Sequence, residues 1–267
     1  MAPCHGWPLS GLARTAPALH EWGMNQPAEH KRSSPLSGPA SATLRQKETW
    51  VFDLDNTLYP ASTNLFGQID LRMRDFIAQS LNLGLEEART LQKTYFHTYG
   101  TTLRGLMEHH AVDAHAFLDY VHDIDIDALN PSPALDTALT RLSGRKLIFT
   151  NASTGHARRV MKRLGVEHHF DAIFDIADAD FEPKPIPAVY ARLVERHRID
   201  PETSVMVEDI ARNLEPAAAL GMTTVWVRTD SEWGSEGNDG AHVHHVVDDL
   251  AAWLGALSDG VADAAPC

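Results

Sequence analysis

The chain has 267 residues, 43% of them hydrophobic, which is enough for one large α/β domain or for a core with a smaller companion. Mean hydropathy is −0.25, and no run of apolar residues approaches the ~18 that a membrane span needs, so a membrane protein is not expected. The formal net charge of −13 argues against broad binding to nucleic acid polymers or acidic lipids.

Residues 1–46 are rich in Pro, Ser, Gly and Ala and show no sustained hydrophobic period, a composition that predicts a disordered leader. They lack the apolar stretch of a secretory signal, and translation starting at Met24 or nearer to the first strand is an alternative explanation for them. The two cysteines, Cys4 and Cys267, form neither a disulfide framework nor a metal-ligand spacing. This cysteine usage favours a cytoplasmic protein, because the cytoplasm is reducing.

Order begins with the apolar run at residues 50–54, which predicts a buried strand. Apolar residues at helical spacing then predict a helical segment over residues 63–130, which ends at a Pro-rich break. Beyond the break the pattern alternates between predicted helices, at residues 135–142, 156–164, 186–197, 214–220 and 250–254, and predicted strands, at residues 146–150, 173–176, 204–207, 223–227 and 243–247.

Strands that alternate with helices imply a mainly parallel, Rossmann-like α/β sheet that is covered on both faces. The helical residues 63–130 interrupt this alternation directly after the first strand. We therefore expect them to form a separate cap at the carboxyl end of that strand, where ligands of open α/β sheets bind. Residues 47–62 and 131–258 then form the core, and residues 259–267 a flexible tail.

Two carboxylates, Asp53 and Asp55, lie directly after the first predicted strand. Alone, the pair is compatible with a nucleotide-sugar metal motif or with a polar turn that has no function. A calcium loop is not favoured, because Leu58 stands where the sharp turn of such a loop needs Gly. Next to a buried strand, however, a pair of carboxylates is costly unless a cation balances it.

Further polar groups follow the later strands. Thr150 and Asn151 offer a hydroxyl and backbone N–H groups that could hold phosphate oxygens, or Thr150 could simply cap the next helix. Lys184 stands between two prolines that stiffen the backbone, although an isolated lysine in such a loop is usually just solvated. Glu208 and Asp209 end an apolar strand and again require a cation. Few kinds of functional site combine two acidic strand ends, a hydroxyl and a lysine at one parallel sheet.

Taken together, these residues resemble the four ordered motifs of haloacid dehalogenase-superfamily hydrolases over almost the whole stretch from Trp50 to about Leu254. The motifs are Phe52-Asp53-Leu54-Asp55-Asn56-Thr57-Leu58, Thr150-Asn151, Pro183-Lys184-Pro185 and Glu208-Asp209. A narrower likeness points to the pyrimidine 5′-nucleotidase branch, whose members release phosphate from nucleoside monophosphates such as UMP and CMP. It rests on Leu58-Tyr59-Pro60, Tyr95-Phe96-His97-Thr98-Tyr99-Gly100 and Leu103-Arg104-Gly105-Leu106.

The family resemblance implies hydrolysis of phosphate monoesters. Asp53 would attack phosphorus in line and form an aspartyl-phosphate. Asp55 would protonate the leaving oxygen and later take a proton from the attacking water, so we expect an environment that raises its pKa. Thr150 and Lys184 would bind the phosphoryl oxygens, with Asn151 beside them.

The expected cofactor is Mg²⁺, which suits an oxygen-rich site. By the resemblance, its protein ligands are the carboxylates of Asp53 and Asp209 and the backbone carbonyl of Asp55. Glu208 would orient a water on the metal without binding the ion itself.

The cap would close over the site and select the leaving group. Arg104 is the first candidate for a cap residue that contacts substrate, with Tyr95 and Tyr99 behind it as surfaces on which a base could stack. The two tyrosines lie one helical turn apart and could instead belong to the core of the cap.

Several rival functions share these motifs. A phosphatase for a sugar phosphate or another small metabolite, or a phosphomutase, would use the same core residues, because specificity lies in the cap. Dehalogenation is not favoured, since Asp55 supplies an acid/base that a dehalogenase does not need. A non-catalytic scaffold is the rival of a different class, although every motif position carries a chemically competent residue. Nucleic-acid binding is disfavoured, because Arg158, Arg159 and Arg163 are expected to form the solvated face of an amphipathic helix.

Overall fold

The computed structural model describes residues 39–230 and 234–259, so the predictions for residues 1–38 and 260–267 lie outside the described residues. Six strands form one sheet: β1 Thr49–Phe52, β2 Arg145–Phe149, β3 Ala172–Phe174, β4 Ser204–Glu208, β5 Thr223–Val227 and β6 His245–Val247. Their order across the sheet is β3-β2-β1-β4-β5-β6, and each neighbouring pair is parallel. The predicted Rossmann-like parallel sheet is confirmed.

The α-helices of the described residues are α1 Pro39–Arg45, α2 Leu65–Leu81, α3 Leu85–Tyr99, α4 Thr102–His110, α5 Ala114–Val121, α6 Pro133–Arg141, α7 Thr154–Leu164, α8 Pro187–His197, α9 Glu215–Ala219 and α10 Leu250–Asp259. Local sequence explains several of their ends. The Ser132 and Ser153 side chains accept hydrogen bonds from the first turns of α6 and α7, which satisfies donors that the helix itself leaves free. Gly165 ends α7 in the left-handed conformation. Between residues 39 and 230 and between 234 and 259, no helix combines the length and the apolar character that crossing a bilayer would require.

Helix α1 lies inside the segment that composition predicts to be a disordered leader. That prediction is wrong for residues 39–45, which form this helix. Leu44 is buried in the hydrophobic core, and the Arg45 guanidinium donates to the carbonyl of Leu257 in α10 at 3.5 Å. Average composition misses this helix, because a single buried leucine is enough to anchor one short segment.

Alternate residues of the strands supply the two faces of the sheet, as the period of two requires. Trp50 and Phe52 of β1 belong to the core on one face, which α6, α7 and α10 cover. Val51 belongs to the opposite core, under α8 and α9. Both faces of the sheet are therefore buried, in agreement with the prediction.

Strand β3 is shorter than its apolar pattern predicts and ends at Phe174. The Asp175 carboxylate accepts hydrogen bonds from the backbone N–H groups of Ala177 at 3.0 Å and Asp178 at 2.9 Å. Asp side chains stabilise turns in this way, so the chain leaves the sheet at Asp175 although Ile176 is still apolar.

Helices α2 to α5 lie in the segment that is predicted to be the cap, and they pack on one another. The Phe76 ring of α2 meets the rings of Phe117 at 5.1 Å and Tyr120 at 5.4 Å in edge-to-face geometry, which adds to the burial of these aromatic residues. That residues 63–130 form a domain of their own stays a prediction.

The basic helix α7 differs from its predicted role as a purely solvated face. The Arg159 guanidinium donates to the carbonyls of His122 and Ile124, both at 2.9 Å. Arg163 donates to the carbonyl of Asp127 at 3.1 Å. These two arginines therefore bind the backbone that follows α5, which a helical charge pattern alone does not reveal.

Candidate active site

Three of the predicted site residues lie at the carboxyl ends of β1, β2 and β4, which are adjacent in the sheet. Asp53 follows β1, and its N–H donates to the Val207 carbonyl of β4 at 2.8 Å. Thr150 follows β2, and its N–H donates to the Phe174 carbonyl at 3.1 Å. Glu208 is the last residue of β4. Because parallel strands end at the same edge, the fold brings these distant parts of the chain together.

Lys184 lies at the centre of this cluster. Its ammonium donates to Asp53 Oδ1 at 2.6 Å, to Glu208 Oε2 at 2.7 Å and to the Phe149 carbonyl at 3.0 Å. All three donors of the ammonium are thereby used, two of them in charge-assisted bonds. Lys184 is 3% exposed, so its side chain lies buried in the cluster and is not the solvated lysine that an isolated position in such a loop usually carries.

The carboxylates outnumber the cation in this buried space. Burial first, and then the neighbouring Glu208 charge, raise the pKa of Asp53 to about 7, although Lys184 opposes the shift. The pKa of Asp209 is also raised well above its usual range by burial and by the charges of Glu208 and Asp53. Burial alone would lower the pKa of Lys184, but Asp53 and Glu208 outweigh it and raise the value. The site therefore carries negative charge that its own lysine does not fully balance.

The residues present fit a divalent cation. Carboxylate oxygens of Asp53, Glu208 and Asp209 all lie within 4.8 Å of one another, and all three residues are buried. Oxygen ligands of this kind suit Mg²⁺, and an ion would supply the missing positive charge. The two Glu208 oxygens are already engaged, by Lys184 and by the Asn213 amide at 3.1 Å. Direct binding of the cation by the carboxylates of Asp53 and Asp209 is thus simpler than an arrangement in which Glu208 also binds it.

Asp55 lies beside the cluster, and its environment differs from the one expected of it. Its Oδ1 accepts a hydrogen bond from the Tyr59 hydroxyl at 2.6 Å and lies 3.0 Å from His156 Nε2. Burial alone would raise the pKa of Asp55, but the electrostatic interaction with His156 and the hydrogen bonds from His156 and Tyr59 outweigh it. The pKa of Asp55 is therefore lowered, and the expectation of a raised value is wrong for the free protein.

Thr150 and Asn151, the predicted phosphate-binding pair, both line the cavity next to Lys184. Thr150 Oγ1 accepts a hydrogen bond from the N–H of Ala152 at 3.0 Å. Asn151 Oδ1 accepts one from the backbone N–H of Lys184 at 3.0 Å. Asn151 thus positions the lysine loop, and its contact with substrate stays a prediction.

The cavity above these residues is bounded on its other side by helices α2 to α5. Apolar side chains dominate this part of the wall: Phe66, Ile69, Met73, Phe96, Leu103, Phe117, Leu118 and Val121. Asp70, Gln92 and Lys93 are the charged or amide side chains that these helices add. Lys93 Nζ and Gln92 Nε2 both donate to Asp70 Oδ1, at 2.6 Å and 2.8 Å.

The structure does not place Arg104, Tyr95 or Tyr99 on the cavity wall, so it gives no support to their predicted contact with substrate. The Tyr95 hydroxyl is 2.7 Å from His110 Nε2, and its ring stacks on His109. The Tyr99 hydroxyl also pairs with His109. Both tyrosines pack between α3 and α4, which is the alternative that their helical spacing left open.

Sequence reasoning missed three side chains near the chemistry: Tyr59, His156 and Gln92. Tyr59 belongs to the Leu58-Tyr59-Pro60 motif and lies four residues after Asp55. This short spacing could have predicted the hydrogen bond between the two side chains. His156 lies in the first turn of α7, the helix after Thr150, but its contact with Asp55 spans 101 residues of sequence. Gln92 is one polar residue among many in the helical segment, and no local pattern singles it out.

Comparisons with known proteins agree with this geometry. A family model described as haloacid dehalogenase-like hydrolase matches residues 48–221. Phosphate metabolism protein 8 of Saccharomyces cerevisiae is 27% identical over 193 residues, which cover 66% of this chain and 60% of that protein. Fructose-1-phosphate phosphatase YqaB of Escherichia coli is 28% identical over 122 residues, which cover 44% of this chain and 64% of that protein. The matched regions thus span less than two thirds of either relative.

Solved structures share the fold. A HAD phosphatase from Thermococcus onnurineus superposes with a TM-score of 0.54 at 19% identity, covering 79% of this chain and 97% of the other. CbbY from Rhodobacter sphaeroides, solved in complex with phosphate, gives a TM-score of 0.54 at 21% identity, covering 80% and 99%. At such identities the likeness concerns the fold alone. The family match spans more than half of the sequence and includes the lysine–carboxylate cluster, and the chain therefore belongs to the haloacid dehalogenase-like hydrolases.

Proposed function

We propose that the protein is a Mg²⁺-dependent phosphomonoester hydrolase that works through an aspartyl-phosphate on Asp53. One observation carries the proposal: a buried lysine lies 2.6 Å from Asp53 and 2.7 Å from Glu208, while a third carboxylate, Asp209, remains without a balancing cation among the described residues. Such a site is organised to receive a dianionic phosphoryl group together with a metal. The names of the two relatives, a phosphate metabolism protein and a sugar-phosphate phosphatase, support the same reaction class.

In this proposal each residue has a separate task. The Asp53 carboxylate attacks phosphorus, while Thr150 and Lys184 hold the phosphoryl oxygens. Asp55 gives a proton to the leaving oxygen and later removes one from the water that cleaves the acyl phosphate. Mg²⁺, held by the Asp53 and Asp209 carboxylates and the Asp55 carbonyl, would neutralise charge on the phosphoryl group.

The Asp55 carboxyl must bind a proton before it can act as the acid, although its pKa is lowered in the free protein. A bound phosphate dianion close to Asp55 favours the protonated carboxyl, because a nearby negative charge raises the pKa of a carboxyl. Substrate binding and proton uptake by Asp55 are then coupled.

For the substrate we propose a nucleoside monophosphate with a pyrimidine base, in keeping with the motif likeness to the pyrimidine 5′-nucleotidases. The apolar wall formed by α2 to α5 favours a flat leaving group with apolar faces. Gln92 Oε1 is buried without a hydrogen-bond partner among the described residues, and it is an acceptor that an N–H of a base would satisfy. The cytoplasm, suggested by the cysteine usage, is the proposed compartment.

A sugar phosphate is the second candidate substrate. The Escherichia coli relative is named a fructose-1-phosphate phosphatase, and Asp70, Gln92 and Lys93 could bind sugar hydroxyls. Against it, a sugar presents many hydroxyls, which lose hydrogen bonds to water when they face an apolar wall.

The test is phosphate release from a panel of nucleoside monophosphates and sugar phosphates, with and without Mg²⁺, by the wild type and by Asp53→Asn. Magnesium-dependent turnover that favours UMP or CMP and disappears in the variant supports both the reaction and the substrate class. Turnover restricted to sugar phosphates supports the proposed hydrolysis but rejects a nucleoside monophosphate as the substrate. No turnover of any ester in the wild type rejects the reaction and favours a non-catalytic scaffold.

A further inference from the structure

The carboxyl of Asp55 is held from one side only. Its Oδ1 accepts the Tyr59 hydroxyl at 2.6 Å and lies 3.0 Å from His156 Nε2. The Tyr59 hydroxyl is the donor in this bond, because an ionised carboxylate only accepts hydrogen bonds. Both neighbours therefore engage the same oxygen of Asp55, while Oδ2 is the oxygen that neither of them engages.

Within the described part of the chain, the His156 side chain has no second polar contact that explains its place in the interior. The side chain is completely buried, and its Nδ1 has no hydrogen-bond partner among these residues. Since an ionised carboxylate only accepts hydrogen bonds, the proton of a neutral ring must sit on Nε2. An unpaired buried nitrogen destabilises the folded protein, so its presence calls for a reason other than stability.

The His156 ring is also fixed in orientation. It stacks on the ring of His122 at 4.5 Å with an interplanar angle of 19°. His122 in turn pairs through Nδ1 with Ser153 Oγ at 3.0 Å. Ser153 is the N-cap of α7, the helix that carries His156 in its first turn. The position of His156 in the first turn of α7 and its stacking on His122 together direct Nε2 toward Asp55.

We propose that His156, assisted by Tyr59, is a positioning residue that presents Oδ2 of Asp55 as the proton-carrying oxygen. This inference rests on the proposed function. In the first step Asp53 forms a bond to phosphorus, the ester P–O bond breaks, and Oδ2–H gives its proton to the departing oxygen. In the second step water forms the new P–O bond, its proton returns to Oδ2, and the bond between phosphorus and Asp53 breaks. Oδ1 keeps both hydrogen bonds throughout.

The proposal predicts a dependence on the leaving group. p-Nitrophenyl phosphate releases a stable phenolate that needs little protonation, whereas a sugar or nucleoside phosphate releases an alcohol that must be protonated. In His156→Leu we expect kcat for the best alkyl phosphate of the panel to fall roughly 10–100-fold more than kcat for the aryl ester, part of the ~10²–10⁴-fold that general acid–base catalysis contributes. His156→Gln, which keeps an N–H donor, should recover part of this selective loss.

Two further variants make the outcome decisive. Tyr59→Phe removes the other donor without changing the ring, and it should show the same selective loss even if His156→Leu does not fold. His169→Leu is the matched control, because His169 Nε2 also lies 2.8 Å from a carboxylate, that of Asp136, but away from the cavity. The ratio of the two kcat values should be unchanged in this control.

If kcat falls by the same factor for both esters in His156→Leu and in Tyr59→Phe, the positioning role is overturned, while the proposed hydrolase function still stands. The positioning role is also overturned if the wild-type protein cleaves only the aryl ester, since Asp55 would then protonate no alcohol leaving group. Wild-type protein that cleaves neither ester would reject the proposed function itself.

Discussion

Replacing Asp53 with Asn should abolish phosphate release and at the same time stabilise the metal-free protein. Three buried carboxylates share one lysine in the site. Removal of one negative charge leaves Lys184 paired with Glu208, and the amide oxygen of Asn can still accept from the ammonium. The variant thus loses a repulsion rather than a necessary partner.

The magnitude follows from the pKa of Asp53, which burial and Glu208 raise from 3.8 to about 7. A difference of roughly three pKa units corresponds to about 4 kcal/mol by which the ionised carboxylate opposes folding. The unfolded chain releases this proton near its usual pKa and the folded protein only near 7. Wild-type stability therefore falls as pH rises through this window and is constant above it. In the Asp53→Asn variant this loss is absent, because an amide does not titrate.

The assay is urea unfolding in EDTA at about pH 5 and about pH 8. From the same linkage we expect the variant to exceed the wild type by about 2–4 kcal/mol at the higher pH and by less than half of that at the lower pH. A gain of this size also raises the melting temperature, by about 2–4 °C for each kcal/mol in a domain of this size. Asp119→Asn, at an exposed position of α5, is the control and should show no such pH dependence. A variant that is no more stable than the wild type at the higher pH would refute the reasoning.

Further predictions test other parts of the site. Lys184→Met should reduce kcat by on the order of 10²–10³-fold in a phosphate-release assay, because a donor to the reacting phosphoryl group is lost. Mg²⁺ should stabilise the wild type in a thermal shift assay, by about 2.7 kcal/mol at a hundredfold excess over Kd, and Asp209→Asn should lose this effect. Gly105→Ala would place a Cβ 2.4 Å from Tyr95 Cγ, so unfolding free energy should drop by about 1–3 kcal/mol. Gly155→Ala, with no atom within 4 Å of its Cβ, should not show this loss.

In the proposed hydrolase we expect stability and activity to oppose one another, because both depend on the same charge cluster. The carboxylate that is proposed to attack phosphorus is buried near other carboxylates, and the ionised forms of Asp53 and Asp209 raise the free energy of the folded state. Lys184 offsets part of this cost through its contacts at 2.6 Å and 2.7 Å. Binding of metal and phosphate would offset the remainder, so ligands should stabilise the wild type more than any single-site variant of the cluster.

Much of the fold and the catalytic edge could be predicted from local patterns. The run of apolar residues at β1 and the alternation after residue 130 required a parallel sheet with two covered faces. Polar residues directly after buried strands must lie at one edge of that sheet, which brings Asp53, Thr150 and Glu208 together. These inferences succeed because strand and helix periods are local and because parallel strands place their ends on one side.

The contacts that tune the site depend on tertiary packing. Asp55 and His156 are 101 residues apart, so no window of sequence could show that they pair or that the pKa of Asp55 is lowered. The same applies to the wall of the cavity: Tyr95 and Tyr99 carry helical spacing that suits a ligand surface or a core equally well. Which side of α3 faces the cavity depends on how α4 packs on it. This packing is decided by the sum of many weak side-chain contacts across the fold, not by the sequence of either helix alone.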